Sequence, residues 1–527
     1  MAKQPKSTLW IILHSVAIVA VLCNLLTGLR ISTLTKPSIG NIEELLPQGQ
    51  IHDIHFFVAI VTSAILICYL SYKVTIKLKN TNSYSEPNKT SISYHRVVTR
   101  IGSFFLILMI LSGWILFIGS DNASIFRQAH FYSAFAILLY IFLHAGVYLT
   151  TYGLKTLSYL LPNTRSGYRT SIFTYLSFGC VTLLLWIIVT NNSYHDLTVE
   201  KISPETFINI DGISKESAWS LATPLKIHTD GGANFIDGSS TVNLRALHNQ
   251  QEIFLHITWE DPTESLKHLP LKKVDSGWEV QQQGFQNFNE TRHYEDKFAI
   301  LLSNSCDFGA SGTSHLGRKP SAQLPANWHG KGYHYSSSDE IHDLWHWKAV
   351  RTNKMHLADD NYIGRPDIVR PGARRYTAGY LQDGKESGAY LMNWKWYSSK
   401  NVTPKRLPKS PSSLTPYQNE DTKSDWTISW FDYQPYAAED DNYPINTIMP
   451  SVLYTSNRFE GDRADVRAYA VWQDGQWSME MVRKLDTGSA LDVVIKDGIC
   501  LWVSAFDQSQ IAHTRHALPV KIKLADQ

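Results

Sequence analysis

The sequence has no excess of charge and none of the short motifs that mark many soluble enzymes. Its 49 Lys and Arg residues nearly balance its 47 Asp and Glu residues, for a formal net charge of +2, and no basic tract occurs. Nucleic-acid-binding proteins usually carry a basic surface, so the composition predicts no nucleic-acid partner. The Ser-His-Asp, Walker and Rossmann signatures are absent as well.

Cysteine is also scarce, with five residues in the chain and no pair spaced like zinc ligands. Cys23, Cys68 and Cys180 fall in strongly apolar segments, where cysteine is usually a small packing residue. Cys306 and Cys500 fall in the polar part of the chain, where an oxidising compartment would allow a disulfide. Their spacing alone does not show that they pair.

Long apolar runs are confined to the N-terminal part of the chain. Five stretches there are long enough to cross a bilayer and carry few or no charges. They span residues 10–31, 54–72, 101–119, 131–150 and 173–189. The first stretch is too long for the apolar part of a signal peptide, and no clean cleavage site follows it, so we expect a retained helix. We therefore predict a membrane all-α helical bundle of five helices over residues 1–194.

Lys and Arg in the connecting loops predict the orientation of these helices. Basic residues are concentrated at the N-terminus and after the second and fourth stretches, and they are fewer after the first and third. Because such residues are retained on the cytoplasmic side, we expect a cytoplasmic N-terminus. Five crossings then place the C-terminal part outside the inner membrane, which in a bacterium is the periplasm.

Histidines in the apolar stretches indicate the chemistry of the membrane part. His130 and His144 are fourteen residues apart, so on a helix they share one face about 21 Å apart along the axis. Polar side chains are costly in a bilayer and usually functional there. Matching depths pair His14 with His144, and His130 with His55 or His52. Two such pairs predict two b-type haems with both axial positions filled, which suits electron transfer.

The membrane part resembles the bacterial di-haem cytochromes b that include formate dehydrogenase gamma subunits. LHSVAIVAVLCNLLTGLRI has the family's histidine followed by Thr27-Gly28, and the third stretch repeats the step as Ser112-Gly113. HFYSAFAILLYIFLHAGVYL has the fourteen-residue pair, and HFFVA favours His55 over His52. The resemblance covers about residues 8–190. It implies His14, His55, His130 and His144 as iron ligands, with His95 an interfacial residue.

From about His195 the pattern changes to short runs of alternating polarity, such as EIFLHITWED, DKFAILLS and ICLWVSAF. This period of two, broken by turn residues, predicts a mostly antiparallel β-sandwich over residues 195–527. The long segment 310–425 is rich in Gly, Pro, Lys and aromatic residues. Long insertions of this kind in a β-scaffold usually carry function.

The β-rich part resembles the haem-binding domain of ethylbenzene dehydrogenase gamma subunits, on the stretches ITWEDPT, FGASGTSHLG, DLWHWKA, ADDNYIGRP and KLDTG. It spans about residues 205–520. The resemblance implies a haem held by His315 and His516. No C-x-x-C-H occurs in the chain, so this haem would be b-type and not covalently attached. Alternative ligands, less favoured, are His334, His346, Met355 and Met449. The acidic runs 359–360 and 439–441 are calcium candidates, though solvated loops or arginine partners are the simpler interpretation.

These observations predict a three-haem membrane protein that transfers electrons between the quinone pool and a periplasmic redox partner. A first alternative is a membrane-anchor and electron-relay subunit of a periplasmic oxidoreductase such as a molybdenum enzyme. A second is an outer domain that binds a ligand other than haem, as a sensor would. Membrane lipid and quinone are the expected small-molecule partners, and the sequence does not indicate the direction of electron flow.

Overall fold

The computed structural model describes residues 8–79, 89–153, 168–285, 289–311, 313–317, 332–368, 376–382, 390–398, 400–418, 426–455 and 461–525. The chain divides into two compact units, Met1–Ser193 and Tyr194–Gln527. The first unit is helical and the second is built mainly of β-strands. The architecture predicted from the sequence, an apolar helical bundle followed by a mostly antiparallel β-domain, is confirmed.

The helices of the first unit are α1 (Thr8–Ser32), α2 (Ile51–Lys79), α3 (Lys89–Ile118), α4 (Ala123–Tyr152) and α5 (Tyr168–Asn192). The first four contain segments long and apolar enough to cross a membrane: Ile11–Ser32, Ile51–Ser71, Arg96–Ile118 and Ala123–Thr150. The apolar part found in α5, Phe178–Asn191, is shorter. The 25 residues of α5 extend about 37 Å, so the predicted fifth crossing is compatible with its length and stays a prediction.

Helix α1 packs chiefly against α2, and α3 packs chiefly against α4. Polar contacts lie inside the bundle: the Asn24 amide donates to Thr62 Oγ1 at 2.8 Å, and the Trp114 indole donates to Ser63 Oγ at 3.1 Å. Large apolar side chains such as Phe104 and Phe142 are exposed. This arrangement, with polar side chains hydrogen-bonded between helices and large apolar side chains outside, suits a lipid environment.

The second unit contains 24 strands and one short helix, α6 (Phe308–Ser311), among its described residues. The strands are β1 (His195–Lys201), β2 (Leu225–Asp230), β3 (Ser239–His248), β4 (Glu252–Glu260), β5 (Leu271–Val274), β6 (Gly277–Val280), β7 (Lys297–Ser303), β8 (Ser314–His315), β9 (Tyr333–His334), β10 (His342–Lys348), β11 (Asp359–Ile363), β12 (Tyr380–Gln382), β13 (Tyr390–Met392), β14 (Trp394–Ser398), β15 (Asn401–Pro404), β16 (Arg406–Pro408), β17 (Thr427–Ser429), β18 (Tyr433–Pro435), β19 (Ile448–Met449), β20 (Val452–Tyr454), β21 (Arg467–Gln473), β22 (Gln476–Lys484), β23 (Cys500–Phe506) and β24 (Val520–Leu524).

Twelve of these strands form one large sheet, in the order β12-β11-β10-β7-β23-β24-β1-β3-β4-β22-β21, with β2 paired to β3. Neighbours in this sheet are antiparallel except that β1 is parallel to both β24 and β3. The sheet encloses a dense apolar core in which Trp259 packs against Trp477, Trp347 and Phe298. The strongly alternating segments thus bury their apolar faces together, and the long insertion contributes short strands and loops.

Cys306 and Cys500 form a disulfide that links the segment after β7 to the start of β23. The sequence alone left this pairing open. Disulfides persist in oxidising compartments, so the bond agrees with a periplasmic second unit. The other three cysteines, Cys23, Cys68 and Cys180, carry free thiols.

Candidate haem-binding sites

The helical unit brings its histidines together in two pairs. The His14 and His144 rings, on α1 and α4, have centroids 6.1 Å apart and planes inclined by 58°. The His55 and His130 rings, on α2 and α4, have centroids 6.3 Å apart and planes inclined by 83°. The ring that faces His130 is that of His55, not of His52. The His95 side chain lies outside the described part of the chain.

The spacing of both pairs fits two ligands on opposite sides of one metal ion. Imidazole nitrogens lie about 2 Å from a bound transition metal, as in zinc sites, so the centres of two such rings are roughly 6 Å apart. A direct ring-to-ring contact would not require this separation. The two pairs are therefore suited to bis-histidine ligation of iron.

Residues predicted from the sequence pattern orient the His55 ring. Thr27 Oγ1 lies 2.8 Å from His55 Nδ1, and the Thr27 hydroxyl also lies 2.8 Å from the Cys23 carbonyl, to which it donates. The Thr27 oxygen is then free to accept from Nδ1–H, which leaves Nε2 as the nitrogen available to a metal. A Cβ at Gly28 would stand 3.1 Å from His55 Cε1, so glycine makes room for the ring.

The same arrangement recurs between α3 and α4. The Nδ1–H of His130 donates to the Met109 carbonyl at 2.9 Å, and Ser112 Oγ lies 3.2 Å from the same nitrogen. A Cβ at Gly113 would stand 3.0 Å from His130 Cε1. The Thr27-Gly28 and Ser112-Gly113 steps are thus equivalent: in each, a hydroxyl group contacts Nδ1 of a histidine on the neighbouring helix and a glycine leaves space for its ring.

The pair formed by His14 and His144 has an aromatic surrounding that the sequence analysis did not identify. Tyr140 and Tyr148 lie one turn to either side of His144, with ring centroids 5.2 and 5.3 Å away. Gly102 on α3 accommodates Tyr140, since a Cβ there would stand 2.3 Å from the tyrosine ring. Spacings of four residues along α4 could have revealed the two tyrosines.

A third histidine pair lies in the β-domain. His334 on β9 and His513, between β23 and β24, have ring centroids 6.3 Å apart and planes inclined by 30°. The Nδ1–H of His513 donates to the Thr514 carbonyl at 2.8 Å, and Thr313 Oγ1 lies 3.4 Å from His334 Nδ1. The spacing matches both membrane pairs, and the hydrogen-bonded Nδ1 atoms match the pair formed by His55 and His130.

Burial keeps the histidines of this third site uncharged. Burial, and next the neighbouring His513, lowers the pKa of His334 to about 3, and burial lowers the pKa of His513 to about 4. His315, on the strand next to His334, also has its pKa lowered by burial, to about 4. A neutral imidazole is the form that ligates a metal, so both histidines of the pair can bind a metal ion at neutral pH without losing a proton first.

Aromatic and basic side chains surround the third pair. Phe506 stacks on His346 and also contacts His513, at centroid distances of 5.3 and 4.9 Å. The Lys297 ammonium lies 4.1 Å from the centre of the Phe506 ring. The pKa of His346 is lowered well below its usual value by burial and then by nearby cations, Lys297 first. An apolar pocket with cations nearby suits an apolar macrocycle that carries carboxylates.

His315 and His516, the ligands predicted from the sequence, are not the two histidines of the third pair, and their rings have other partners. The His315 ring stacks on Tyr335 with centroids 3.4 Å apart, and its Nδ1–H donates to the Thr313 carbonyl. His516 has both nitrogens engaged: Nδ1–H donates to the Leu518 carbonyl at 2.7 Å, and Nε2 accepts from the Val503 amide at 3.0 Å. With no nitrogen left for iron, His516 gives way to His513 as the candidate ligand.

The two methionine candidates and two of the acidic candidates have structural partners. Met449 is fully buried in an apolar cluster with Trp278 and Leu453, and Met355 packs beside a second cluster that contains Val350. Of the acidic runs, Asp359 is paired with Lys348 and with Arg463, and Asp441 lies 2.8 Å from Lys273. Asp359 and Asp441 are therefore partners of basic side chains, the simpler of the two interpretations.

The comparison with known families agrees with this geometry. Residues 216–517, more than half of the chain, match the family model of ethylbenzene dehydrogenase. The chain belongs to the ethylbenzene dehydrogenase family. Residues 7–162 match the model of prokaryotic cytochrome b561. The cytochrome b561 family binds b-type haem and the ethylbenzene dehydrogenase domain is a haem-binding domain, so the chain is a multi-pass membrane protein for haem-mediated electron transfer.

Three solved structures are similar to part of the chain, with low sequence identity. A protein from Bacteroides uniformis described as carbohydrate-binding is 10% identical over 64% of this chain and 93% of its own, with a TM-score of 0.24. A family 9 carbohydrate-binding module from Caldicellulosiruptor kristjanssonii, solved with cellotriose and with glucose, is 8% identical over 63% of this chain and 94 or 98% of its own. Its TM-score is 0.22 in both structures, a value too low to indicate a shared function. No curated protein matches the chain.

Proposed function

We propose that the protein carries electrons between the membrane quinone pool and a periplasmic redox partner through three b-type haems. The observation that supports this best is the common spacing of its three histidine pairs, 6.1, 6.3 and 6.3 Å between ring centroids. Haem held in this way supplies reversible one-electron transfer without an open position for oxygen. The ligands are His14 with His144, His55 with His130, and His334 with His513.

The residues around each pair set the properties of the site. Hydrogen bonds donated by Nδ1–H to Thr27 Oγ1, to the Met109 carbonyl and to the Thr514 carbonyl fix the ring planes and raise the basicity of the ligand nitrogen. Burial excludes water from the iron ligands and thereby tunes the potential. His315, stacked beside His334, shapes the third site, and His346 contributes a buried imidazole next to Phe506.

The proposed orientation follows from the distribution of Lys and Arg. A cytoplasmic N-terminus and five crossings place the second unit in the periplasm of a bacterium, at the inner membrane. Only Ser193 and Tyr194 separate the end of α5 from β1, so the β-domain begins directly after the fifth helix. A periplasmic reporter fused after residue 527 should be active, and one inserted between α2 and α3, within residues 80–88, should be inactive. The reverse pattern would contradict this orientation.

The redox partner is either a separate periplasmic protein or a stably bound catalytic subunit. Membership of the ethylbenzene dehydrogenase family favours the alternative in which this chain anchors, and relays electrons for, a periplasmic oxidoreductase such as a molybdenum enzyme. The two versions share the same haem path. They differ in whether a catalytic subunit copurifies stably with the chain from membranes, which affinity purification in mild detergent would show.

A haem count tests the proposal. A pyridine haemochrome assay on the purified full chain should give three b-type haems per chain, all extracted by acid acetone, because no C-x-x-C-H is present. Two haems per chain would overturn the third site and favour a β-domain that binds another ligand. A haem that resists extraction would contradict non-covalent attachment.

A further inference from the structure

Three buried aspartates converge at the ends of three strands of the large sheet. Asp261 follows β4, Asp296 precedes β7 and Asp507 follows β23. One carboxylate oxygen of each lies within 4.8 Å of the other two. Asp261 and Asp296 are fully buried and Asp507 is 3% exposed. The cluster lies outside the histidine pairs and has no role in the electron path described above.

The hydrogen bonds of Asp296 favour its charged form, whereas burial, and next the neighbouring Asp261 and Asp507, raise its pKa well above its usual value. Its Oδ2 accepts from the Ser265 amide at 2.7 Å and from the Trp477 indole at 3.3 Å, and its Oδ1 accepts from the Gln508 amide at 3.2 Å. Three N–H donors aimed at one carboxyl group favour its charged form. The N–H donors thus stabilise a negative charge on Asp296, while the two neighbouring carboxyl groups oppose it unless a cation lies between them.

A second observation indicates a missing positive partner. Asp261 Oδ1 accepts from the Thr263 amide at 3.2 Å, but its Oδ2 is buried without a hydrogen-bond partner among the described residues. Burial, and next the proximity of Asp507, raises the pKa of Asp261 to about 8. An unsatisfied buried carboxylate oxygen is costly, and an ion at this point would satisfy it.

A second aspartate cluster in the same domain also has buried carboxylate oxygens without hydrogen-bond partners, but a cation lies beside it. Asp343, Asp360 and Asp492 are also grouped within 4.8 Å. There the buried Arg483 pairs with Asp343 and lies 3.8 Å from Asp492. No Lys, Arg or His among the described residues forms an ion pair with Asp261, Asp296 or Asp507.

We propose that Asp261, Asp296 and Asp507 bind a calcium ion. Ca²⁺ takes six to eight oxygen ligands at about 2.3–2.6 Å, so two of its ligands lie at most roughly 5 Å apart, as the three carboxylates do. The hydroxyl groups of Thr263 and Ser265, 3.4 Å from each other, lie beside the cluster, with Thr263 Oγ1 3.5 Å from Asp507 Oδ1. Mg²⁺ retains several waters and suits a buried protein cage less well.

The position of the ion would link it to the third histidine pair. Asp296 and Asp507 directly precede and follow Lys297 and Phe506, which contact each other beside His513. The ion would hold the ends of β7, β23 and β4 together at this edge. Its binding is independent of haem, so it is testable whether or not the third haem site is correct.

Calcium titration of the full chain tests the proposal. After removal of metal with EGTA, isothermal titration calorimetry in detergent should show one tight Ca²⁺ site, with weaker binding of Mg²⁺. Asp261→Asn should weaken Ca²⁺ binding by on the order of 10-fold or more. The matched control, Asp360→Asn in the Arg483 cluster, should bind like the wild type. Circular dichroism checks folding, and Asp507→Asn replaces Asp261→Asn if the latter does not fold.

Three outcomes would overturn the calcium site. They are a wild-type chain without Ca²⁺ binding, an Asp261→Asn or Asp507→Asn chain that binds Ca²⁺ as tightly as the wild type, and equal loss of binding in the Asp360→Asn control. The last outcome would assign the ion to a different place.

Discussion

The histidine pairs of the membrane unit and that of the β-domain share one spacing but are built differently. In the membrane unit each ligand lies on a long helix, and a hydroxyl-glycine step on the adjacent helix holds His55 and His130. In the β-domain, His334 lies on a two-residue strand and His513 in a connecting segment, among stacked aromatic rings and cations. The first environment is apolar and pre-organised by the hydroxyl-glycine steps of the neighbouring helices. The second has charges that can tune a potential.

The largest expected effects come from removing ligands of the membrane pairs. His130→Ala should remove one membrane haem and leave the one held by His14 and His144, and His144→Ala should do the opposite, because each iron loses an axial bond. Haem content and redox titration of the purified chains measure this. His52→Ala is the control and should retain all haem. Full haem content in both ligand variants would mean that the pairs are wrongly assigned.

The third pair should respond to the same change at His513 but not at His516. His513→Ala should abolish the low-spin signal of the third haem, whereas His516→Asn should keep it, since the His516 ring is engaged with Leu518 and Val503. Visible spectra of the reduced proteins report the difference. Loss of the signal in His516→Asn alone would identify His516 as the iron ligand, as the sequence predicts. Loss of the low-spin signal in His315→Ala but not in His334→Ala would make His315 the iron ligand in place of His334.

Crowding the glycine steps should have an intermediate effect. Gly113→Ala places a methyl group 3.0 Å from His130 Cε1, and overpacking of this kind costs about 1–3 kcal/mol. We expect partial loss of the haem between His55 and His130, measured by haem content at limiting haem supply. Gly146→Ala, on α4 with nothing within 4 Å of its Cβ, is the matched control. Equal behaviour of the two variants would show that the step does not shape the site.

Removal of the single hydrogen bond between Thr27 and the His55 ring should have the smallest effect. Thr27→Val deletes the oxygen 2.8 Å from His55 Nδ1 while keeping the shape of the side chain, so haem affinity should fall by roughly 10-fold or less. The potential of that haem should shift while its spectrum stays low-spin. Thr150→Val, whose hydroxyl contacts only its own helix among the described contacts, should change neither. An unshifted potential in Thr27→Val would remove Thr27 from the account.

The two regions also differ in how far the sequence could predict them. In a helix the sequence spacing fixes the position of each side chain, so residues fourteen apart share one face. The predicted depth of each histidine in the membrane then pairs His14 with His144 and His55 with His130. The glycine steps could be recognised by resemblance, but the tyrosines around His144 could not be assigned without the packing of α3 against α4. The disulfide, likewise, needed the adjacency of β7 and β23.

In the β-domain a difference of three residues separates the predicted His516 from His513. Strand periodicity indicates which face a residue occupies, but not where a loop places it. The ring of His516 is hydrogen-bonded to the backbone of Val503 in β23 and of Leu518, while the ring of His513 lies next to that of His334. The buried aspartates gave no sequence signal either, because Asp261, Asp296 and Asp507 are far apart in the chain and only strand pairing brings their ends together.

Electron paramagnetic resonance of the oxidised full chain tests the central claim most directly. Low-spin haems with nearly perpendicular imidazole planes give strongly anisotropic signals, and those with nearly parallel planes give rhombic ones. The interplanar angles of 83° for His55 and His130 and 30° for His334 and His513 therefore predict one signal of each kind, with a third low-spin signal from His14 and His144. Fewer than three low-spin signals, or a high-spin signal that persists in the fully loaded protein, would contradict three bis-histidine sites.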